Sequence, residues 1–193
     1  IVIFSIPSVQ TYIANKVTTS LNEKYDTQIN VGKIHIKYNG FAAIKEVYIA
    51  DHHNDTLIYS QEVETSLLSL KALMNSQMNL GDIALKNSKL FVKKYKGEEN
   101  DNLYVFSQKF NTGAPPSTPF KLSSSDVELI NMHFKFSDED LDNPTVVDYT
   151  NLNLLAEDFK LDDVTITAQI KDLQLDAARD YHIRGLEADF KYN

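Results

Sequence analysis

The chain has 193 residues and a formal charge of −8, with acidic side chains spread along its whole length. It contains no cysteine, which excludes a disulfide framework and a thiolate zinc site. A nucleic-acid partner or an anionic membrane surface calls for a clustered basic face, so the acidic balance argues against both. With 42% hydrophobic residues, the chain is long enough to form one domain with a core, or part of a larger domain.

The N-terminus predicts a short apolar lead-in followed by a helix. Residues 1–6 are apolar, but they fall far short of the roughly 20 residues that span a bilayer. They are either the end of a membrane helix or an ordinary buried lead-in, and the residues do not separate the two. Residues 7–26 predict an amphipathic helix that caps the end of a sheet, because proline suits the first turn and apolar residues recur every four positions. These apolar residues are Val9, Ile13, Val17 and Leu21.

From residue 27 onward, a short unit recurs at intervals of roughly forty residues. The clearest copy covers residues 79–92, with counterparts at 30–36 and from Ser125, and a fainter one at 163–166. Each copy begins with a polar residue or glycine and then alternates apolar with polar residues, which is the period of a half-buried strand. Such units bury their apolar side only by stacking or pairing. We therefore predict a repetitive β-sheet groove domain over residues 27–193.

The alternation changes phase inside three of these strands. The apolar set moves from odd to even positions across Asn87-Ser88, and it changes again across Ile130-Asn131 and at Gly32. Side chains alternate faces strictly along a strand, so the apolar set stays on one face only if a bulge or a corner inserts an extra residue. The sequence therefore predicts strands that bend and keep their apolar side inward.

The remaining segments predict further strands joined by polar turns. Residues 28–38 and 41–50 predict a hairpin around Asn39-Gly40, and residues 67–74 favour either a short helix or a continued strand. Because the chain reverses direction at each polar turn, we expect antiparallel neighbours throughout.

The C-terminal half follows the same scheme with one interruption. Residues 103–106 predict a short strand, and residues 112–119, the only run rich in proline and glycine, predict a mobile loop. An acidic turn comes next at residues 137–144, after which successive strands are expected between residues 146 and 192.

Two turns carry side chains of the types that bind metal ions. One contains Asp51, His52, His53 and Asp55. Adjacent histidines diverge in extended backbone, however, and no second cluster in sequence supplies the remaining ligands. Residues 138–143 resemble the start of a calcium loop, but Asn143 stands in place of the required glycine and Tyr149 in place of the final acid. We therefore interpret both segments as solvated turns and expect no metal site.

Enzymatic activity is not expected either. The sequence has no glycine-rich phosphate loop, no nucleophile elbow and no acid pair at a recognisable spacing. We therefore predict no catalytic residues and no cofactor. The apolar face of the predicted sheet is the remaining candidate for function.

This face fits two arrangements, the closed core of a β-sandwich or an open trough that acyl chains cover. Burial contributes about 25 cal/mol per Å² of apolar surface in either case, so the sequence pattern does not distinguish them. The residues predicted to line the groove are Ile34, Ile36, Ile83, Leu85, Leu90, Val92, Val127, Leu129, Phe134, Phe136, Val164, Ile166 and Ile170.

Several short segments resemble the N-terminal region of AsmA-like envelope proteins, specifically the TamB branch. They are spread over nearly the whole chain and consist of hydrophobicity patterns and short sequence matches, with no catalytic motif. The segments are residues 7–14, 29–36, 40–41, 47–51, 55–57, 79–85 and 168–173.

The resemblance implies a mainly β fold, a curved, taco-like antiparallel sheet with an apolar groove and an N-terminal amphipathic helix as its cap. It implies a periplasmic protein, anchored by its N-terminal helix to the inner membrane of a Gram-negative bacterium. It also implies that phospholipid acyl chains move along the groove between the inner and outer membranes, with no covalent step.

Two alternatives remain open. The TamB branch is also implicated in outer-membrane protein assembly with an Omp85-type barrel, through C-terminal regions that have no counterpart here. On that basis the chain is a scaffold whose strand edges pair with client strands. The third hypothesis is a closed β-sandwich that serves as an interaction module.

Overall fold

The computed structural model describes residues 7–36, 41–66, 77–79, 81–110, 121–162, 165–177 and 181–192. Several predicted features lie outside these residues. They are the lead-in at 1–6, the Asn39-Gly40 turn, the segment 67–74, the loop 112–119 and the start of the fourth repeat at 163–164.

The described residues form two helices and one sheet of ten strands. The helices are α1 (Pro7–Tyr25) and α2 (Asn102–Gln108). The strands are β1 (Gln28–Ile36), β2 (Ala42–Ala50), β3 (Thr56–Thr65), β4 (Gln77–Asn79), β5 (Ile83–Lys94), β6 (Lys121–Asp138), β7 (Thr145–Asp162), β8 (Thr165–Ala177), β9 (His182–Arg184) and β10 (Ala188–Tyr192). Their order is β1-β2-β3-β5-β6-β7-β8-β10, with β4 beside β6 and β9 beside β8. The predicted fold class, a curved open sheet with an N-terminal helix, is confirmed.

Helix α1 covers the β1 end of the sheet, as predicted. The side-chain amide of Asn22 donates to the carbonyl of Ile29 at 2.9 Å, and its oxygen accepts from the Ile29 amide at 2.8 Å. The buried side chains of this helix are Gln10, Ala14, Thr18 and Tyr25. The first three lie one position beyond the predicted apolar stripe, whereas Tyr25 continues it. Burial of Thr18 is possible because its hydroxyl donates to the carbonyl of Ala14 at 2.9 Å. Among the described residues, no helix combines the length and apolar character needed to cross a membrane.

The pairing of β5 with β6 departs from the predicted antiparallel arrangement. These strands run parallel, as do β4 and β6, whereas the other described pairs are antiparallel. Residues 103–106, predicted as a strand, belong to helix α2. The Asp101 carboxylate caps this helix by accepting from the Tyr104 amide at 2.8 Å. A parallel pair needs a long crossover, which usually contains a helix. The parallel pairing of β5 with β6 therefore also explains why a helix stands where a strand was predicted.

A line of bends crosses the sheet where the sequence changes phase. Four residues of this line adopt left-handed backbone, with φ between 49° and 56°: Glu46, Asn87, Asn131 and Asn151. The strand register skips each bend, so that Ser60 and Ser88 pair on one side while Asn87 itself stays unpaired. The line ends at Gly32, where an added Cβ would lie 3.2 Å from the carbonyl oxygen of Lys45. The predicted corners at Asn87 and Asn131 are therefore confirmed, and Gly32 lies opposite Glu46 where the register of β1 with β2 skips one position.

Side-chain amides join neighbouring bends. Asn131 donates from Nδ2 to Oδ1 of Asn87 at 2.7 Å, and Asn87 donates to Oε1 of Gln61 at 2.7 Å. On the other side, the Asn131 backbone amide donates to Oδ1 of Asn153 at 3.0 Å. Asparagine tolerates left-handed backbone better than most other residues. Its amide also replaces hydrogen bonds that the strand ladder loses at a bulge.

A second line of bends lies six positions before the first, at Gly81, just before β5, and at Ser125 in β6. Gly81 has φ 61°, and the Ser125 amide donates to its carbonyl at 3.0 Å. The line continues at Asp158 of β7, with φ 52°. The buried hydroxyl of Ser124 contacts the carbonyl oxygens of Gly81 and Asp126. The two bends divide β6 and β7 into three segments each, and side chains from all three segments of these strands reach the same interior.

Candidate functional site

The bent sheet encloses an apolar groove with a volume of about 490 Å³. Its lining is aliphatic and aromatic apart from Ser124, whose hydroxyl is engaged by backbone carbonyls. The lining residues are Ile58, Ile83, Leu85, Leu90, Leu122, Ser124, Val127, Leu129, Met132, Leu154, Ala156, Phe159, Ile166, Ala168, Ile170 and Phe190. Such a lining can hold a hydrocarbon chain, and it offers no group for acid-base or nucleophilic chemistry.

The two lines of bends explain how these side chains reach one interior. Between the bends, odd positions of β5 and β6 face the groove, as at Leu85 and Leu129. Beyond the first bend, even positions do so, as at Leu90 and Met132. Each bend shifts the alternation by one residue, so the apolar set stays inside although the strand changes direction.

Directly paired residues form apolar rows that run across the strands. One row consists of Ile34, Ile44, Val63, Leu85, Leu129, Leu154 and Leu173. A second row consists of Ile29, Ile49, Ile58, Leu90, Phe134, Tyr149 and Ala177. Neighbouring strands lie about 4.8 Å apart, so each row is about 30 Å long. The apolar surface therefore runs from the α1 end of the sheet to β8.

The structure places the thirteen predicted groove residues in three groups. Seven line the cavity: Ile83, Leu85, Leu90, Val127, Leu129, Ile166 and Ile170. Ile34 is buried on the Leu85 row, and Val92, Phe134 and Phe136 share the face of Leu90 through direct pairing beyond the cavity. The side chain of Ile36 and the whole of Val164 lie outside the described part of the chain.

Nine lining residues were absent from the predicted set: Ile58, Leu122, Ser124, Met132, Leu154, Ala156, Phe159, Ala168 and Phe190. Several belong to β7 and β10, which were predicted as strands without an assigned face. A signal was present in β7, where the apolar positions change phase at Asn151 and again at Asp158. The two left-handed residues mark the same corners there as Asn131 and Ser125 mark in β6.

Most groove side chains are only half-buried although they lie in the middle of the sheet. Ile83, Leu85 and Leu90 are examples, and among the lining residues Ser124, Met132 and Ala156 are the buried ones. The hydroxyl side chains of Ser60, at 0% exposure, and Ser88, at 2%, are less exposed than these leucines and isoleucines. In a closed core the large apolar side chains are the ones normally buried. The groove therefore presents apolar surface that the described residues do not cover.

One end of the sheet is polar and tightly connected. Asp51 is 3% exposed, and its carboxylate accepts from the amides of His53 and Asp55, from the Tyr95 hydroxyl at 2.7 Å and from the Asn102 amide at 2.8 Å. Burial raises the pKa of Asp51, but these hydrogen bonds outweigh it and hold the pKa below its ordinary value. The Tyr95 hydroxyl also donates to the Asp55 carboxylate at 2.8 Å. Burial and the carboxylates of Asp51 and Asp55 raise the pKa of this hydroxyl, so it remains a donor.

The acidic turn at residues 138–143 uses its carboxylates within the protein. Lys94 lies 3.0 Å from a carboxylate oxygen of Asp140 and 3.8 Å from one of Asp138. The other oxygen of Asp140 accepts from the Gly97 amide at 2.9 Å. This backbone hydrogen bond and the Lys94 contact lower the pKa of Asp140. The carboxylates of Asp138 and Asp140 therefore tie the end of β6 to Lys94 and to the turn after β5.

Comparison with known proteins does not assign a function to the chain. No model of a known protein family matches it, and no curated protein matches it. The resemblance to the TamB branch stays a prediction that rests on short segments such as residues 29–36 and 79–85. The physical properties of the groove are therefore the main basis for assigning a function.

Proposed function

We propose that this protein takes part in cell-envelope biogenesis and that its groove conducts phospholipids across the periplasm between the inner and outer membranes. The observation that carries the proposal is the pair of apolar rows that cross seven strands of an open sheet. An acyl chain laid along these rows covers half-exposed apolar surface. The head group stays in water along the open side of the sheet.

The energetics favour such an occupant. Each buried methylene group contributes about 0.8 kcal/mol, so ten methylenes contribute up to about 8 kcal/mol. The cavity volume of about 490 Å³ lies within the range of roughly 300–1,000 Å³ that is typical of ligand sites. Successive row positions are chemically alike, which means that no single position traps the chain. Lipids then move along the groove without a covalent step.

The cellular setting comes from the resemblance to AsmA-like proteins. In this proposal the protein lies in the periplasm and is attached to the inner membrane of a Gram-negative bacterium through its N-terminal helix region. The formal net charge of the chain is −8, which is consistent with lipid held by the apolar groove and not by a positively charged surface. An Omp85-type barrel would contact regions outside this chain.

The two alternative functions are a closed β-sandwich module and a scaffold for outer-membrane protein assembly, and the open sheet bears on each in a different way. The described residues form a single open sheet, which favours the conduit over a closed β-sandwich module. A scaffold for outer-membrane protein assembly would instead add client strands at a sheet edge and would leave the groove free of lipid. Lipid occupancy therefore separates the two functions.

The test compares two neighbouring leucines on β7. Leu154 lines the groove, whereas Leu155 points away from it and is 41% exposed. The protein and the variants Leu154→Asp and Leu155→Asp are purified from a Gram-negative host and examined by native mass spectrometry with lipid extraction. We expect phospholipid in defined stoichiometry with the unchanged protein and with Leu155→Asp, and at least a tenfold loss with Leu154→Asp.

Circular dichroism and size-exclusion chromatography verify that both variants fold. If Leu154→Asp does not fold, Leu85→Asp replaces it as the groove variant, because Leu85 lies on the same row. Lipid-free unchanged protein, or equal lipid in folded groove and surface variants, contradicts the conduit.

A further inference from the structure

Three metal-binding side chains converge at the polar end of the sheet, away from the groove. His52 and His53 lie in the turn between β2 and β3, and Glu98 lies in the turn between β5 and α2. The Nε2 atoms of the two histidines lie 2.9 Å and 2.6 Å from the two carboxylate oxygens of Glu98. One ligand atom from each residue lies within 4.8 Å of the others.

This convergence corrects the expectation that adjacent histidines diverge. Divergence applies to extended backbone, but residues 52 and 53 form a tight turn, and their rings meet edge to face with centroids 4.5 Å apart. The missing ligand was not visible in sequence because Glu98 is more than forty positions away. Only the pairing of β3 with β5 brings the two turns together.

The backbone holds both halves of the cluster in place. The buried carboxylate of Asp51 accepts from the His53 amide at 2.9 Å, which sets the first turn. The Glu98 amide donates to the Tyr95 carbonyl at 3.1 Å and closes the second turn. The Tyr95 ring packs against both histidines, with centroids 5.5 Å from His52 and 3.8 Å from His53. Ligands held in this way need little reorganisation to bind an ion.

We propose that His52, His53 and Glu98 bind a divalent transition-metal ion of the zinc type, which links the β2–β3 turn to the β5–α2 turn. Two imidazoles and one carboxylate are a ligand set that suits zinc, nickel, copper or cobalt, and it does not suit calcium or magnesium, which prefer oxygen alone. Water takes the fourth position, since all three side chains remain partly exposed.

The geometry requires only a small adjustment. Ligand bonds of about 2.1 Å in a tetrahedral site separate ligand atoms by about 3.4 Å. The present nitrogen to oxygen distances of 2.9 Å and 2.6 Å are shorter, so these contacts open by about 0.5 Å and about 0.8 Å to admit the ion.

A further property supports an ion at this place. The Nδ1 atom of His52 is buried, and no described residue provides it with a hydrogen-bond partner. Hydrogen bonding among the described residues therefore does not fully account for the position of this ring.

The test is isothermal titration of the metal-free protein with Zn²⁺, combined with thermal unfolding. We expect one ion per chain, and a rise of about 5–10 °C in the unfolding midpoint when free Zn²⁺ reaches about a hundred times Kd. Glu98→Gln keeps the size of the side chain and removes its charge, and we expect at least a tenfold loss of affinity for this variant and for His52→Ala. Co²⁺ in place of Zn²⁺ gives a visible absorption band that reports tetrahedral coordination.

His182→Ala is the matched control, because His182 also contacts a carboxylate, that of Asp176, but lies outside the cluster. We expect this variant to bind Zn²⁺ as the unchanged protein does. Absence of one-to-one binding overturns the proposal, as does equal loss in His52→Ala and His182→Ala. If His52→Ala fails to fold, Glu98→Gln alone decides, since an unchanged affinity there rejects the site. None of these outcomes depends on whether the groove carries lipid.

Discussion

The groove and the polar end of the sheet are built from the same long strands in opposite ways. Within β5, Leu85 and Leu90 leave apolar surface half-exposed in the middle of the strand. A few residues later the chain reaches Tyr95, which is 8% exposed and donates its hydroxyl to the buried Asp51 carboxylate. The polar end is thus packed and internally bonded, whereas the apolar middle is open.

This difference indicates what stabilises the fold without an occupant. Strand pairing, the amide-linked bends and the Asp51 network at the polar end are held by hydrogen bonds within the chain, as between Asn102 and Asp51 and between Asn131 and Asn87. The groove instead presents surface that gains free energy only when something apolar covers it. Stability and function are therefore assigned to different parts of one sheet, and mutations in the two parts should behave differently.

The largest expected effect comes from truncating a leucine in each environment. Leu57 of β3 is 0% exposed, whereas Leu90 lines the groove and is half-exposed. We expect Leu57→Ala to lower the free energy of unfolding by about 2–5 kcal/mol, and Leu90→Ala by about half as much in lipid-free protein. Urea unfolding of both variants measures the difference. Equal losses would mean that Leu90 is packed as in a closed core.

The next effect concerns pH and the buried Asp51. Its pKa is lower in the folded chain than in the unfolded chain, so its stabilisation is present above pH about 4 and is lost as the pH falls through the folded pKa. We expect Asp51→Asn to cost about 1–3 kcal/mol at pH 7 and to flatten the fall in stability as the pH drops below about 4.

Urea unfolding as a function of pH measures both quantities. Asp142→Asn is the control, because Asp142 is exposed in the β6–β7 turn. A fall in stability that is as steep in Asp51→Asn as in the unchanged protein would show that other carboxylates cause it.

The smallest effect separates backbone from side chain at a bend. Asn131 has φ 54° and donates its side-chain amide to Asn87. Asn131→Ala loses this hydrogen bond and keeps the strained backbone, at an expected cost of about 1–2 kcal/mol. Asn131→Gly loses the same hydrogen bond but relieves the strain, so we expect a cost below about 1 kcal/mol. Thermal unfolding ranks the three proteins, and a glycine variant less stable than the alanine variant would contradict this explanation of the bend.

Local pattern was sufficient for the β class, the helix over Pro7–Tyr25 and the corners at Asn87 and Asn131. The reason is that a half-buried strand has a period of two, so a corner changes the apolar alternation within a few neighbouring residues. The same pattern identified part of the groove lining. In β7 it changes phase twice, at Asn151 and Asp158, so the inward face of this strand follows only when both bends are taken into account.

Features that depend on distant residues were decided only by the tertiary structure. The parallel pairing of β5 with β6 and the helix between them depend on where the chain re-enters the sheet, which no turn motif specifies. The contact of Glu98 with His52 and His53 exists because β3 pairs with β5 and aligns two remote turns. Whether an apolar stripe becomes a core or an open groove is likewise a property of the whole sheet. Burial depends on what faces a side chain in space. In this chain the two lines of bends curve the sheet around its apolar face.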